Sequence, residues 1–174
     1  PVKEVSAVAG VTDAITPKYP EDITLDEETT NSDGSKTLKL VSGTTELDMD
    51  MKTDGTVSST LKTDDGSESK VNIPIGAEVN MNKDASLSVS MSLDSGVTLL
   101  TNISTEGDMT VGVTSGSIGA NVKAPKGSEV IIGIDGTSSI ALPASTDATS
   151  GVTSQVVSTL SPDGSTLTEI TMSG

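Results

Sequence analysis

Carboxylates are the one chemically capable residue class that this chain holds in quantity, with 25 Asp and Glu among 174 residues. Glu46, Asp48 and Asp50 alternate with Leu47, Met49 and Met51, so an extended strand places the three acids on one face, about 7 Å between neighbours. Asp54 follows at the next turn, and Asp64, Asp65 and Asp94 stand at turns further on. Hard oxygen donors in such number suit Ca2+, a cation that collects several carboxylate and carbonyl ligands. Glu46, Asp48, Asp50, Asp54, Asp64 and Asp65 are therefore the candidate metal ligands, with Ca2+ as the cation and no cofactor required. The stretch Asp50-Met51-Lys52-Thr53-Asp54-Gly55 resembles the opening of an EF-hand loop, but Lys52 occupies a ligand position and Leu61 stands where that loop needs Glu. The competing reading of the same acids is a solvated face that resists aggregation.

Catalysis has few residues to work with. The chain contains no His, Cys or Arg, which removes the usual base at neutral pH, the thiolate nucleophile and the planar clamp for phosphate or carboxylate. Ser67-Glu68-Ser69-Lys70 has the Ser-x-x-Lys spacing, yet on a strand residues three apart point to opposite faces. Paired carboxylates are the chemistry of glycosidases, and an Asp-rich β-helix is a known support for it. The aromatics that line sugar clefts are missing, because Phe and Trp are absent and Tyr19 is the sole aromatic. Asn102-Ile103-Ser104 fits a glycosylation acceptor, a pattern short enough to arise by chance. The expectation is a protein that is not an enzyme.

Charge narrows the partners. A net charge of −15, with all ten cations Lys, opposes nucleic acid and anionic membrane surfaces. No apolar run approaches the length of a bilayer span. The partners that remain are further copies of the chain, as a homo-oligomer or polymer, and a surface glycan or protein receptor. A start at Pro1 rather than Met points to a mature product or excised fragment, and the expected location is extracellular, on a cell surface or in a virion.

The elements that must carry these residues are short strands. Leu, Ile and Val number 40 of 174 and aromatics are nearly absent, so the core has to be thin. Gly34, Gly55, Gly76, Gly96, Gly116 and Gly136 recur at intervals of 20 or 21 residues, each interval holding a second turn signal at Gly43, Asp65-Gly66, Asp84-Ala85, Gly107 or Gly127. The second strand of each unit alternates strictly, as in Val71, Ile73, Ile75 and in Leu87, Val89, Met91, Leu93, which marks one buried and one wet face. First strands slip in phase: Leu38 and Leu40 lie four and six residues after their Gly, Val97 and Leu99 one and three after theirs.

These patterns predict an all-β fold, an elongated repeat of two short strands per ~20 residues, β-solenoid or β-helix-like. The alternatives are an antiparallel meander or sandwich, to which the Asp-Gly pairs at 54, 65, 135 and 163 would lend type I′ turns, and an intertwined trimeric β-stalk. The domain reading is an apolar N-terminal segment, 1–16, as a possible donated strand; an acidic linker, 17–33; five β-repeats, 34–135; and an irregular C-terminal repeat, 136–174, with a Ser/Thr-rich insertion. Three functions fit: a structural or adhesive segment of an extracellular surface protein or phage fibre, a filament subunit joined by strand donation, and a carbohydrate-active β-helix.

Overall fold

The computed structural model describes residues 2–174, and every regular element among them is a strand. β1 (Val2–Glu4) pairs antiparallel with β2 (Lys18–Pro20), and the chain then crosses to a second sheet. There β3 (Thr24–Thr30), β4 (Lys36–Ser42), β5 (Thr45–Met51), β6 (Val57–Lys62) and β7 (Glu68–Ile73) run as a continuous antiparallel meander. Back in the first sheet, β8 (Glu78–Met81), β9 (Leu87–Ser92), β10 (Val97–Ile103), β11 (Met109–Ser115) and β12 (Ile118–Ala124) form a second meander. The chain returns through β13 (Glu129–Ile132), β14 (Ser138–Ala141), β15 (Ser145–Thr146), β16 (Thr153–Leu160) and β17 (Thr166–Ser173). The result is a 7-stranded and a 10-stranded sheet, both mixed, with no closed barrel.

Two parallel seams join the pieces. β2 lies beside β8, and β13 lies beside β7 with Val130 opposite Val71. All other strand pairs are antiparallel. A solenoid would pair each strand with its equivalent one repeat later, in parallel. That pattern is not shown, whereas two layers over one core, as in a sandwich, are compatible with the pairing. The interval of 20 residues has a simpler origin: in a meander every second turn falls at the same end of the sheet, so a glycine at one end recurs once per two strands.

Period-two alternation builds the core. Leu38, Leu40, Leu47, Met49, Leu61 and Val71 of the larger sheet and Val79, Leu87, Val89, Leu99, Met109 and Val111 of the smaller are buried in one apolar cluster. The two sheets share this one core of aliphatic and methionine side chains, with Tyr19 as its aromatic member. Residues 5–16 close one flank of it without regular structure, with Val5, Val8 and Ile15 buried and the Lys36 ammonium donating to the Ser6 carbonyl at 3.0 Å. Residues 17–33, read from sequence as an acidic linker, carry β2 and β3. The acids Asp26, Glu27 and Glu28 are exposed on an edge strand, which hides its pairing with β4 from any burial pattern.

Two kinds of hairpin explain the slipping phase. Gly43-Thr44 and Gly116-Ser117 are two-residue loops, closed by Ser42 opposite Thr45 and by Ser115 opposite Ile118, with φ near +60° at the glycine alone. That is the type II′ arrangement. Eight further turns share another geometry, in which the first residue donates to the carbonyl of the fifth and the fourth donates back to the first, as in Lys52 to Thr56 at 2.9 Å and Gly55 to Lys52 at 3.0 Å. The fourth residue has positive φ, Gly in seven of the turns and Ala85 in the eighth, so these are three-residue loops closed by a bulge at that residue, not the type I′ turns expected from the Asp-Gly pairs. The closing pair points outward at Asn82 and Ser86 but inward at Leu93 and Val97, which shifts the buried phase of the following strand. At Gly55 a side chain is excluded twice over. Its φ is +91°, and a Cβ there would meet Val11 Cγ1 at 2.6 Å and Ile75 Cγ2 at 2.7 Å.

Candidate functional site

Most of the acids at the turns hold the turns. In the three-residue loops the third residue is Asp in six cases: Asp33, Asp54, Asp65, Asp84, Asp135 and Asp163. Each carboxylate accepts the backbone N–H two residues ahead at 2.9 to 3.0 Å. Four of them also accept the hydroxyl of that same Ser or Thr, as Thr56 Oγ1 donates to Asp54 at 2.6 Å. This is an Asx-turn reinforced by a hydroxyl. The hydroxyl hydrogen bond is the leading cause that holds Asp33, Asp54, Asp84 and Asp163 below the ordinary carboxylate value, with the backbone N–H second. Asp65 is held well below it, first by the Lys126 ammonium and then by the Thr63 hydroxyl.

The six carboxylates read from sequence as metal ligands do not converge. Glu46, Asp48 and Asp50 do share the outer face of β5, but lysines of the flanking strands sit among them. Lys62 of β6 lies 2.8 Å from Asp48, 3.6 Å from Glu46 and 3.8 Å from Glu68, and Lys39 of β4 lies 3.8 Å from Glu46. The bond to Asp48, then its charge, raises Lys62 above the ordinary lysine value. One oxygen of Asp48, Oδ1, is shielded from water and takes no donor. Asp54 caps its own turn at the end of the sheet where β5 stops, while Asp64 and Asp65 lie in the loop at the opposite end of β6. Among the described residues no three acidic side chains stand together in a way that could hold a metal ion.

The closest approach to a site is a groove at that opposite end, about 330 Å3, lined by Asp64, Asp65, Glu106, Asp108, Thr44 and Lys126 among others. Lys126 comes from the link between β12 and β13 and bonds the Asp65 carboxylate, which raises the ammonium above its ordinary value; the charges of Asp108 and Asp64 add to this. The groove therefore brings its own cation. Beneath it Ser69, fully buried, donates to the Gly107 carbonyl at 2.6 Å and accepts the Gly127 N–H at 3.1 Å. One hydroxyl thus ties β7 to two loops that start from the other sheet.

The Ser-x-x-Lys spacing carries no catalytic geometry. Ser67 lies in the turn and Lys70 points outward from β7, while Ser69 between them points inward. Comparison with protein-family models, with curated proteins and with solved structures finds no match. Sequence reasoning missed Ser69 as a tie between the sheets, and nothing in the sequence separates it from the other serines. It also missed the caps, for which a signal existed: Asp-Gly is followed by Ser or Thr at 35, 56, 67, 137 and 165.

Proposed function

We propose that the chain is a non-enzymatic structural or adhesive segment of an extracellular surface protein or phage fibre. In this reading it is a β-sandwich that holds neighbouring parts apart and presents a rigid acidic surface to a glycan or protein receptor. The observation that carries it is the employment of the titratable groups. Every group whose pKa is displaced among the described residues caps a turn, bridges strands or, at Lys126, joins two loops, and each shift favours the charged form. A general acid in a catalytic cleft needs the opposite, a carboxyl pushed up by burial or by a like charge.

The competing carbohydrate-active reading has one place to reside, the acidic groove around Lys126. Incubation of the chain with surface polysaccharides, with release of reducing ends as the readout, is expected to show binding at most and no cleavage. Cleavage that disappears in Asp64→Asn or Asp108→Asn would sink the structural reading. For the filament reading, residues 1–16 would have to leave a core in which Val5, Val8 and Ile15 are buried.

A further inference from the structure

Five of the turns carry the dipeptide Asp-Gly, at 33–34, 54–55, 65–66, 135–136 and 163–164. In a flexible chain that pair is prone to cyclise, since glycine has no side chain to obstruct the ring. The glycine nitrogen attacks the Asp side-chain Cγ; an N–Cγ bond forms, a carboxyl C–O bond breaks, and the oxygen leaves as water with the amide hydrogen. Water then reopens the five-membered imide. Attack on its main-chain carbonyl leaves the chain running through the side chain, as isoaspartate, with one more atom in the backbone.

Each loop engages both reacting groups elsewhere. In all five the glycine N–H donates to the carbonyl of the loop's first residue, at 2.9 to 3.1 Å. In all five the carboxylate accepts the N–H two residues ahead, at 2.9 to 3.0 Å. The hydroxyls of Ser35, Thr56 and Ser165 donate to the same oxygen of Asp33, Asp54 and Asp163, and that of Thr63 donates to Asp65. The reaction therefore waits until a hairpin opens and these bonds part.

The five hairpins are not placed alike. Asp54 and Asp65 lie in turns between the interior strands β5, β6 and β7, and Asp135 in the turn between β13 and β14, which are interior too. Gly55 packs against Val11 and Ile75, and the buried Gly136 against Leu93 and Pro162. Asp33 closes the hairpin of β3 and β4, and Asp163 that of β16 and β17; each of these hairpins includes an exposed edge strand. Among the described residues nothing beyond its chain neighbours stands within 4 Å of the place a Cβ would take on Gly34, and at Gly164 only Ala120 and Ile118 come near, at 3.7 and 3.8 Å.

We propose that Asp33 and Asp163 are the sites at which the folded chain forms isoaspartate, and that the other three pairs react only when the sandwich unfolds. Edge hairpins fray at a lower free-energy cost than the interior of a sheet, so they release the glycine N–H and the carboxyl most often. The product does not rebuild its turn, because the side-chain carbonyl that capped it has become part of the backbone. Each conversion loosens an edge strand for good. The proposal does not depend on the structural or adhesive reading of function.

Prolonged warming of the full chain at neutral pH, below its melting temperature and beside a reference unfolded in guanidinium, tests this. Isoaspartate is counted by enzymatic methylation and placed by mass spectrometry of peptides. The unfolded reference is expected to convert at all five pairs, and the folded chain at Asp33 and Asp163 alone, at least about tenfold more slowly. Asn-Gly cyclises faster, by losing ammonia, and its product is heavier, so the single variants Asp33→Asn, Asp54→Asn and Asp163→Asn repeat the test without the ionisation of the carboxyl. Folded Asp33→Asn and Asp163→Asn should deamidate while folded Asp54→Asn does not. Equal conversion at all five pairs of the folded chain, conversion first at Asp54, Asp65 or Asp135, or folded Asp33→Asn and Asp163→Asn that stay as intact as Asp54→Asn would each overturn the proposal.

Discussion

Thr101 and Ser59 sit on the inward face of their strands, fully buried, and neither hydroxyl finds a partner. Burial without a hydrogen bond costs about 1–3 kcal/mol per group. Thr101→Val, which keeps the shape and removes the hydroxyl, is expected to stabilise the protein by about 1 kcal/mol in denaturant unfolding. A loss of stability would mean that the hydroxyl has a partner after all, such as an enclosed water.

The turn caps make a second prediction at the same scale. Asp33, Asp54, Asp65, Asp84 and Asp163 have folded-state values below their unfolded ones, so their contribution is complete above the unfolded value of about 3.9 and is lost as pH falls below it. Lys62 and Lys126 are raised, so theirs is complete below about 10.4 and lost as pH rises through the folded value. Thermal melts should therefore hold level between these limits and fall at both ends. Replacing Asp33, Asp54 and Asp163 by Asn, which keeps the acceptor oxygen but not the charge, should flatten the acid side. An acid limb as steep as before would place the responsible carboxylates elsewhere.

At the scale of elements, alternation was legible wherever one face is fully buried. Leu47, Met49 and Met51, or Leu87, Val89 and Met91, read as strands because the core takes every second residue. β16 and β17 did not read so, since β16 is half-buried on both faces and β17 is exposed along its length, which leaves no contrast for alternation to show. The same exposure concealed β3 within an apparent linker. Turn positions were legible and turn types were not, because an Asp-Gly pair serves a two-residue and a three-residue loop alike; in all five Asp-Gly loops here the backbone N–H of the Ser or Thr that follows bonds back to the Asp. Ser69 belongs to this scale too, as the tie between β7 and the loops at Gly107 and Gly127. Ser69→Ala leaves the Gly107 carbonyl buried without its donor and should cost about 1–3 kcal/mol, with hydrogen exchange quickening first around residues 107 and 127. Unchanged exchange there would deny Ser69 that role.

For the whole molecule, an interval of 20 residues has two structural solutions, and composition does not choose between them. A coil and a pair of antiparallel strands are equally long in sequence and share the same inward alternation; they differ in which strands are neighbours. The candidate site follows that difference. A solenoid would stack the acids of successive coils, whereas the meander sends Asp54 and Asp65 to opposite ends of β6 and sets Lys39 and Lys62 beside the acids of β5. With those acids engaged, millimolar Ca2+ is expected to leave the melting temperature where EDTA leaves it. A ligand bound only by the folded state would raise it, and such a rise would show that these carboxylates hold a cation. The arrangement of neighbours itself is open to direct test by nuclear Overhauser contacts across the strands. Antiparallel contacts are expected between Met49 and Ser59 and between Ser59 and Val71, with parallel contacts between Val71 and Val130. Parallel contacts between Met49 and Val71, strands that β6 here holds apart, would contradict it.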